Sequence, residues 1–310
     1  MNILDFVYVH FPVSGVDTWV FLPPLVAFVV SFFTSMGGVS GAFLLLPFQM
    51  SVLGYTSPSV SGTNQFFNVV AIPSGVYRFI REGRMVWPLT WAVIIGTLPG
   101  VLLGAWVRIA YLPDARNFKL FAALVLLYIG IRLVLDVVKE KAGHAPAKAA
   151  SGVAQSGLMR VTDTRFTMRA VEYRFDGKTY SFSPSAVFLL CLIVGIVGGI
   201  YGIGGGAIIA PFFVALFGMP VYTVAGAALM GTFITSAAGV AFYQLLAYCM
   251  QTPLSVAPDW FLGALFGVGG FCGMYLGAAC QKYVPVRVIK LILCACILFV
   301  AIKYVMDFFL

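Results

Sequence analysis

The chain has 310 residues, of which 61% are hydrophobic and only 10% charged, with a net charge of +8 and a mean hydropathy of +0.99. Soluble domains carry about 25% charged residues, so this composition excludes a cytosolic enzyme, a nucleic-acid binder and a disulfide-stapled secreted domain. A spanning helix uses about 20 apolar residues, which leaves room for roughly ten spans and points to an all-α membrane protein with the lipid bilayer as its solvent.

Met1 to Asp17 carries Asp5 and Asp17 but no Lys or Arg, so no secretory signal with its basic n-region is expected. Apolar segments follow at 19–34, 42–53, 59–80, 87–107 and 118–135. The first two are short and are split by a glycine cluster in SMGGVSGAFLLLP, residues 35–47. The third opens with Thr63, Asn64, Gln65 and Asn68, among the few polar residues in any span, and carries Arg78 as its single cation. In the fourth, Gly96, Gly100 and Gly104 recur every fourth residue, which puts glycine on one helix face and predicts a close helix–helix seam.

Beyond Arg132 and Asp136 the composition changes. Residues 142–157 are Ala/Gly/Ser-rich and read as a flexible tether. VEYRFDGKTYSF, residues 171–182, alternates around Asp176-Gly177, a strong hairpin signal. The expected organisation is a first transmembrane repeat over 1–138, a basic linker with a small β-hairpin over 139–184, and a second repeat over 185–310. The second repeat runs through 185–199, 206–217, 221–249, 260–280 and 286–306, and its two short segments are split by YGIGGGAIIAP, residues 201–211.

The halves are related. Residues 38–79 lie on 202–243 without a gap, matching Gly38, Gly41, Pro47, Phe48, Gly54, Val60, Gly62, Gly75 and Val76 to Gly202, Gly205, Pro211, Phe212, Gly218, Val224, Gly226, Gly239 and Val240. Trp87, Leu89, Gly96, Gly100, Leu103, Gly104 and Ala105 match Trp260, Leu262, Gly269, Gly273, Leu276, Gly277 and Ala278 in a second block. About five segments per half would make the second copy enter from the opposite face. With the linker on the cytoplasmic side, Arg78, Arg81, Arg84, Arg132, the basic run in 139–182, Lys282, Arg287 and Lys290 all fall inside. Arg108, Arg116, Lys119 and Lys303 remain outside, as the positive-inside rule favours. Two full crossings and one re-entrant hairpin give the short segments the same parity, so charge does not separate them.

Inverted-repeat transporters place their site near the midplane, where broken helices aim their N-termini at anionic groups. Short glycine-interrupted pairs at matched places mark that site here. Gly38, Ser40 and Gly41 in one half and Tyr201, Gly204, Gly205 and Gly206 in the other are its expected backbone, since glycine lets amide hydrogens approach a ligand. Asn64, Gln65 and Asn68 offer amides, Thr232 and Thr235 hydroxyls, and Arg78 a cation on the inner side. The same amides and hydroxyls also suit hydrogen bonds between helices, and Arg78 suits an anchor at the helix end. None of the eleven acids lies deep in a span, so no carboxylate proton relay is expected. His10 and His144 lie outside the apolar runs, and the six cysteines form no C-x-x-C pair. No metal, no cofactor and no enzymatic constellation is expected. The partner is a small anionic solute, with a channel or carrier for another solute as the alternative; the linker could also receive a cytoplasmic regulator.

At GIYGIGGGAIIAPFF (199–213), FGMP (217–220) and REGRMVWPLTWAVIIGTLPGVLLGA (81–105) the chain resembles the sulfite exporter TauE/SafE family of membrane transporters. MGGVSGAFLLLP with LGYTSPSVSGTN looks like the divergent partner copy of the same motif. The resemblance spans the chain apart from roughly 140–184. It implies a multi-pass protein of a bacterial cytoplasmic membrane that exports sulfite, a sulfonate or a sulfoacetate-like anion by alternating access. The long basic insert departs from the family pattern, which therefore does not carry over to whether transport is regulated.

Overall fold

A computed structural model describes residues 7–36, 39–81, 83, 85–141, 162–166, 171–175, 178–206, 208–219, 221–250, 252–280 and 286–309. Strands β1 (Tyr8–Phe11) and β2 (Val16–Trp19) precede helices α1 (Leu22–Met36), α2 (Ala42–Ser51), α3 (Ser59–Arg81), α4 (Trp87–Ala110) and α5 (Ala115–Lys141). Strands β3 (Thr162–Phe166), β4 (Val171–Phe175) and β5 (Lys178–Phe182) lead into α6 (Pro184–Tyr201), α7 (Ile209–Phe217), α8 (Val221–Cys249), α9 (Trp260–Cys280) and α10 (Val286–Phe309).

Residues 8–19, which carry no hairpin expectation, pair antiparallel as β1–β2, with Gly15 turning at φ 68°. Phe11 stacks on Phe261, and Asp259 accepts from Ser14 through both its N–H (3.2 Å) and its hydroxyl (2.8 Å). This ties the hairpin to the start of α9. In the linker, β4 and β5 pair with Phe175 opposite Lys178, and β3 adds a third strand on the far side of β4. The Tyr173 and Thr223 hydroxyls lie 3.1 Å apart and dock this sheet on the first turn of α8.

Glycine sets the helix pairing. Gly96, Gly100 and Gly104 of α4 meet the carbonyls of Phe188, Leu192 and Ile196 of α6 in constant register; a methyl on Gly100 would lie 2.5 Å from the Leu192 oxygen. Gly269, Gly273 and Gly277 of α9 meet the carbonyls of Pro24, Phe28 and Phe32 of α1 in the same manner. Both runs are therefore helix–helix seams, as their spacing predicts. In both pairs the register rises together, so the partners run parallel. Removing Cβ lets the backbones approach closely, which favours van der Waals packing with Cα–H···O contacts as a smaller term, where lipid supplies no hydrophobic drive.

At the centre, α3 and α8 run antiparallel: Gly62 faces Tyr243, Gly239 faces Gln65 and Gly75 faces Leu229. Helices α5 and α10 are antiparallel too, with Arg116 Nη2 donating to the Phe308 carbonyl at 2.7 Å and Cys294 Sγ close to the Gly130 carbonyl. The pairing is reciprocal, with α1 on α9 and α6 on α4, and with α3 on α9 and α8 on α4.

The bundle has two ends. The first carries β1–β2 and the starts of α3 and α9, linked by a Ser59 N–H bond to the Ser255 carbonyl (3.0 Å) and an Asp259 N–H bond to Thr63 Oγ1 (2.8 Å). The second carries the three-stranded sheet and the start of α8. Helix α1 leaves the first end, yet α3, only seven residues beyond α2, starts there as well. So α1 and α2 go in and come back. Helices α6 and α7 do the same from the second end, since both β5 and the start of α8 lie there. The short segments are therefore two hairpins inserted from opposite ends. Helices α4, α6, α8 and α9 contain stretches long and apolar enough to cross a membrane. Trp91, Ile95 and Leu103 on α4 and Val268, Phe271 and Tyr275 on α9 face outward, where lipid would cover them.

Candidate functional site

The tips of the two hairpins meet against α3 and α8. Helix α2 begins after Gly41, which packs on Ser31, Val30 and Thr34 of α1, where a Cβ would lie 2.9 Å from Ser31 Oγ. In the second half, α6 ends on Gly202 (φ 81°), and Gly204 turns at φ 77°. A Cβ on Gly204 would fall 2.6 Å from Ser236 Oγ, and on Gly205 or Gly206 it would run into Thr97 or the Ala228 carbonyl. Two of these glycines answer to backbone angle; the others answer to space alone.

Two asparagines tie the tips together. The Asn64 amide donates to the Ala42 carbonyl at 3.0 Å and to the Gly202 carbonyl at 3.1 Å, one from each half. The Asn68 amide donates to the Ile203 carbonyl at 2.9 Å and to Ser236 Oγ at 3.3 Å, while its Oδ1 accepts from Ser40 Oγ. Tyr201 crosses in the other direction, its hydroxyl donating to the Phe43 carbonyl at 2.9 Å. Gly205 N–H is held by Thr235 Oγ1 at 3.3 Å and Ala42 N–H by Ser40 Oγ at 3.2 Å. Thr232 and Thr235 give their hydrogens to their own helix, at Ala228 and Gly231.

Ser40, Gly41, Asn64, Gln65, Asn68, Tyr201, Gly204, Gly205, Gly206, Thr232 and Thr235 are thus brought to one buried place. Gly38 lies outside the described residues. Arg78 sits half-buried in the last turn of α3, about 15 Å past Asn68 by helix rise, and is not brought to the breaks. The arrangement differs from an open cradle of bare amides. The Ala42 and Gly205 amide hydrogens are already taken by side chains, and the polar side chains are fully buried. Two clefts lined by described residues lie at the ends of α5 and α10, around Lys119 and Asp307 and around Phe299 and Lys303.

Not every group in this region is satisfied. Asn64 Oδ1, both polar atoms of Gln65, Ser61 Oγ and the Tyr243 hydroxyl are buried without a hydrogen-bond partner. So are Nε and Nη2 of Arg108, a guanidinium with no exposure at all. Arg108 has a sequence signal. It follows Gly104 by one more step of four, which puts it on the seam face rather than the lipid face. Among the described residues no cluster of His, Cys, Asp or Glu could hold a metal ion.

Apolar spanning helices and hairpins broken at glycine define a multi-pass helical membrane protein of the transporter class. A family model for the sulfite exporter TauE/SafE matches residues 24–304, and the chain belongs to that family. It is 22% identical over 266 residues, 84% of this chain and 87% of the relative, to the "Probable membrane transporter protein YunE" of Bacillus subtilis (strain 168). It is 26% identical over 287 residues, 88% of this chain and 91% of the relative, to a "Probable membrane transporter protein" of Xylella fastidiosa (strain 9a5c). No solved structure matches the chain.

Proposed function

We propose that this membrane transporter exports a small sulfur-containing anion, such as sulfite, a sulfonate or a sulfoacetate-like compound, across a bacterial cytoplasmic membrane by alternating access. One observation carries the reading: a single amide, Asn64, bridges the two glycine breaks by bonding a carbonyl from each half. Movement of one half against the other must remake that contact, which is what a gate between two access states requires. The reciprocal pairing and the antiparallel α3 and α8 support two inverted copies of one unit. The second end then faces the cytoplasm, because the basic linker and Arg78 lie there. With no acid deep in the core of the repeats, the site carries no charge of its own to repel an anion, and a membrane potential drives a monoanion outward by about 2.3 kcal/mol per 100 mV.

The test is flux from liposomes holding the purified full-length protein. Labelled sulfite, thiosulfate, taurine, isethionate and sulfoacetate are loaded in turn, with an imposed potential. At least one sulfur anion is expected to leave faster than from empty liposomes, with a rate that follows the potential. Flux of a cation, with none of these anions moving, overturns the reading.

A further inference from the structure

Buried polar atoms without partners are rare, because each loses its water and gains nothing, so a contiguous set of them marks a place where something else supplies the partner. Such a set runs from the breaks toward the first end. Gln65 packs against Gly239, across from the Asn64 tie. One turn nearer the first end, Ser61 on α3 lies against Gly202, and Tyr243 on α8 lies against Gly62. The Tyr243 hydroxyl lies beside the Arg108 guanidinium and at the edge of hydrogen-bonding range of Ser61 Oγ. Arg108 ends the file. One nitrogen bonds the Leu112 carbonyl, and Cζ lies 3.7 Å from the centroid of the Phe118 ring, which also neighbours Phe121 and, at the break, Tyr201. Nε and Nη2 stay unpartnered, and Asp114, the acid that acts on Arg108, makes no ion pair with it among the described residues.

A buried guanidinium that no carboxylate neutralises is expensive unless an anion visits it. Two free N–H groups on one planar fork match two oxygens of a small oxyanion. We propose that Arg108, with Tyr243 and Ser61, forms an anion-binding station on the outer side of the breaks, which receives the solute as it leaves them. The proposal rests on the anion-export reading and adds to it the residues that take the anion beyond the gate. The station belongs to one half only: the repeat counterpart of Arg108 is Gln281.

The experiment uses the full chain in liposomes, with labelled sulfite flux measured over a concentration range for wild type, Arg108→Lys, Arg108→Gln, Tyr243→Phe and Ser61→Ala. Loss of one hydrogen bond to a charged group corresponds to roughly ten- to hundredfold in binding. Arg108→Gln is expected to cut flux at low sulfite by at least about tenfold, with Arg108→Lys between it and wild type. Tyr243→Phe and Ser61→Ala decide the matter if Arg108→Gln does not fold. Each removes a hydroxyl whose one protein contact is the marginal one between Tyr243 and Ser61, so a purely structural role leaves flux and thermal unfolding nearly unchanged. The station instead requires a several-fold rise in KM at unchanged thermal unfolding. If wild type carries sulfite and both hydroxyl variants and Arg108→Lys match its KM, the station is wrong while export stands. If wild type neither moves nor binds any sulfur oxyanion, both readings fall.

Discussion

Gly205 offers the sharpest test of how the breaks are built. Its φ is not in the left-handed region, so alanine there is refused by space and not by backbone strain. The new methyl would overlap Thr97 Cβ and lie 2.9 Å from its Cγ2 and 3.1 Å from its Oγ1. Both clashing Cβ atoms are fixed to backbone, so no rotamer relieves the contact. Thr97 is also locked, by its hydroxyl on the Val93 carbonyl at 2.6 Å and by Gly96 and Gly100 against α6. Overpacking usually costs about 1–3 kcal/mol, and this geometry places Gly205→Ala near 3 at the upper end of that range. Thr97→Gly alone should lose about 1 kcal/mol of methyl burial and about 0.5 of helix propensity. In the double variant the alanine methyl fills the vacated space. Its stability should return to roughly that of Thr97→Gly, a coupling of about 3 kcal/mol, or somewhat over a hundredfold in an equilibrium. Thermal unfolding in detergent and anion flux in liposomes are measured on all four proteins of the cycle. Gly205→Ala alone should unfold at lower temperature and lose most flux, and the double variant should regain much of both. A single variant as stable and active as wild type, or a double variant no better than the single, would refute the close packing of the second break on α4.

The same geometry carries further expectations. Asn68→Ala removes three hydrogen bonds and Asn64→Ala two; at about 0.6 kcal/mol per bond between membrane helices, each should lower flux more than Arg78→Ala, which the structure places away from the breaks. Asp259→Ala removes the cap on Leu262 N–H (3.0 Å) and the anchor for Ser14, a loss of about 1–2 kcal/mol visible as a lower unfolding temperature; Asp259→Asn, which can still cap, should lose less. Burial pushes the Tyr173 hydroxyl from 10.0 up to about 12. Its neutral form is thus favoured in the folded sheet. The stabilisation is full below pH 10 and is lost as pH rises toward 12, which hydrogen exchange of β4 and β5 across that range would record, with Tyr173→Phe abolishing the dependence.

The seams were legible because they need only one fact, that four residues make about one helical turn. Gly96, Gly100 and Gly104 share a face whatever they pack against, and a bare face finds a carbonyl. The breaks were legible for a related reason: a glycine cluster followed by an apolar helix of only 10 residues, as α2, or 9, as α7, has few other uses in a bilayer. The partners of the breaks were not. That Asn64 would bond Ala42 and Gly202 at once depends on two hairpins arriving from opposite ends, and no local pattern encodes a meeting between residues so far apart in the chain. The β1–β2 hairpin was hidden by its weak signal, a single Gly15 rather than a two-residue turn. Arg108 was legible in principle, one step beyond the glycines, but a cation near the end of a span is ordinarily a lipid anchor, and only burial shows that it points inward.

The chemistry of the two breaks is unequal, and the inequality suits an anion. The first half contributes donors, the amides of Asn64 and Asn68, and they hold carbonyls of both breaks. The second contributes the Tyr201 hydroxyl, which donates to the Phe43 carbonyl, and threonine hydroxyls whose hydrogens are committed to their own helix, so that Thr235 can only accept, and it accepts from Gly205 N–H. On the export reading, a solute opens this knot by offering the amides a better acceptor than the carbonyls they now hold. An oxyanion does so, because a charge-assisted hydrogen bond is roughly twice as strong as a neutral one. A cation cannot, since it would compete for the carbonyls and leave four amide hydrogens facing a positive charge. A neutral solute gains nothing from the exchange. Selection for negative charge then lies in the lock itself, with no acid or fixed cation required at the breaks, and Arg108 acts only after the lock has opened.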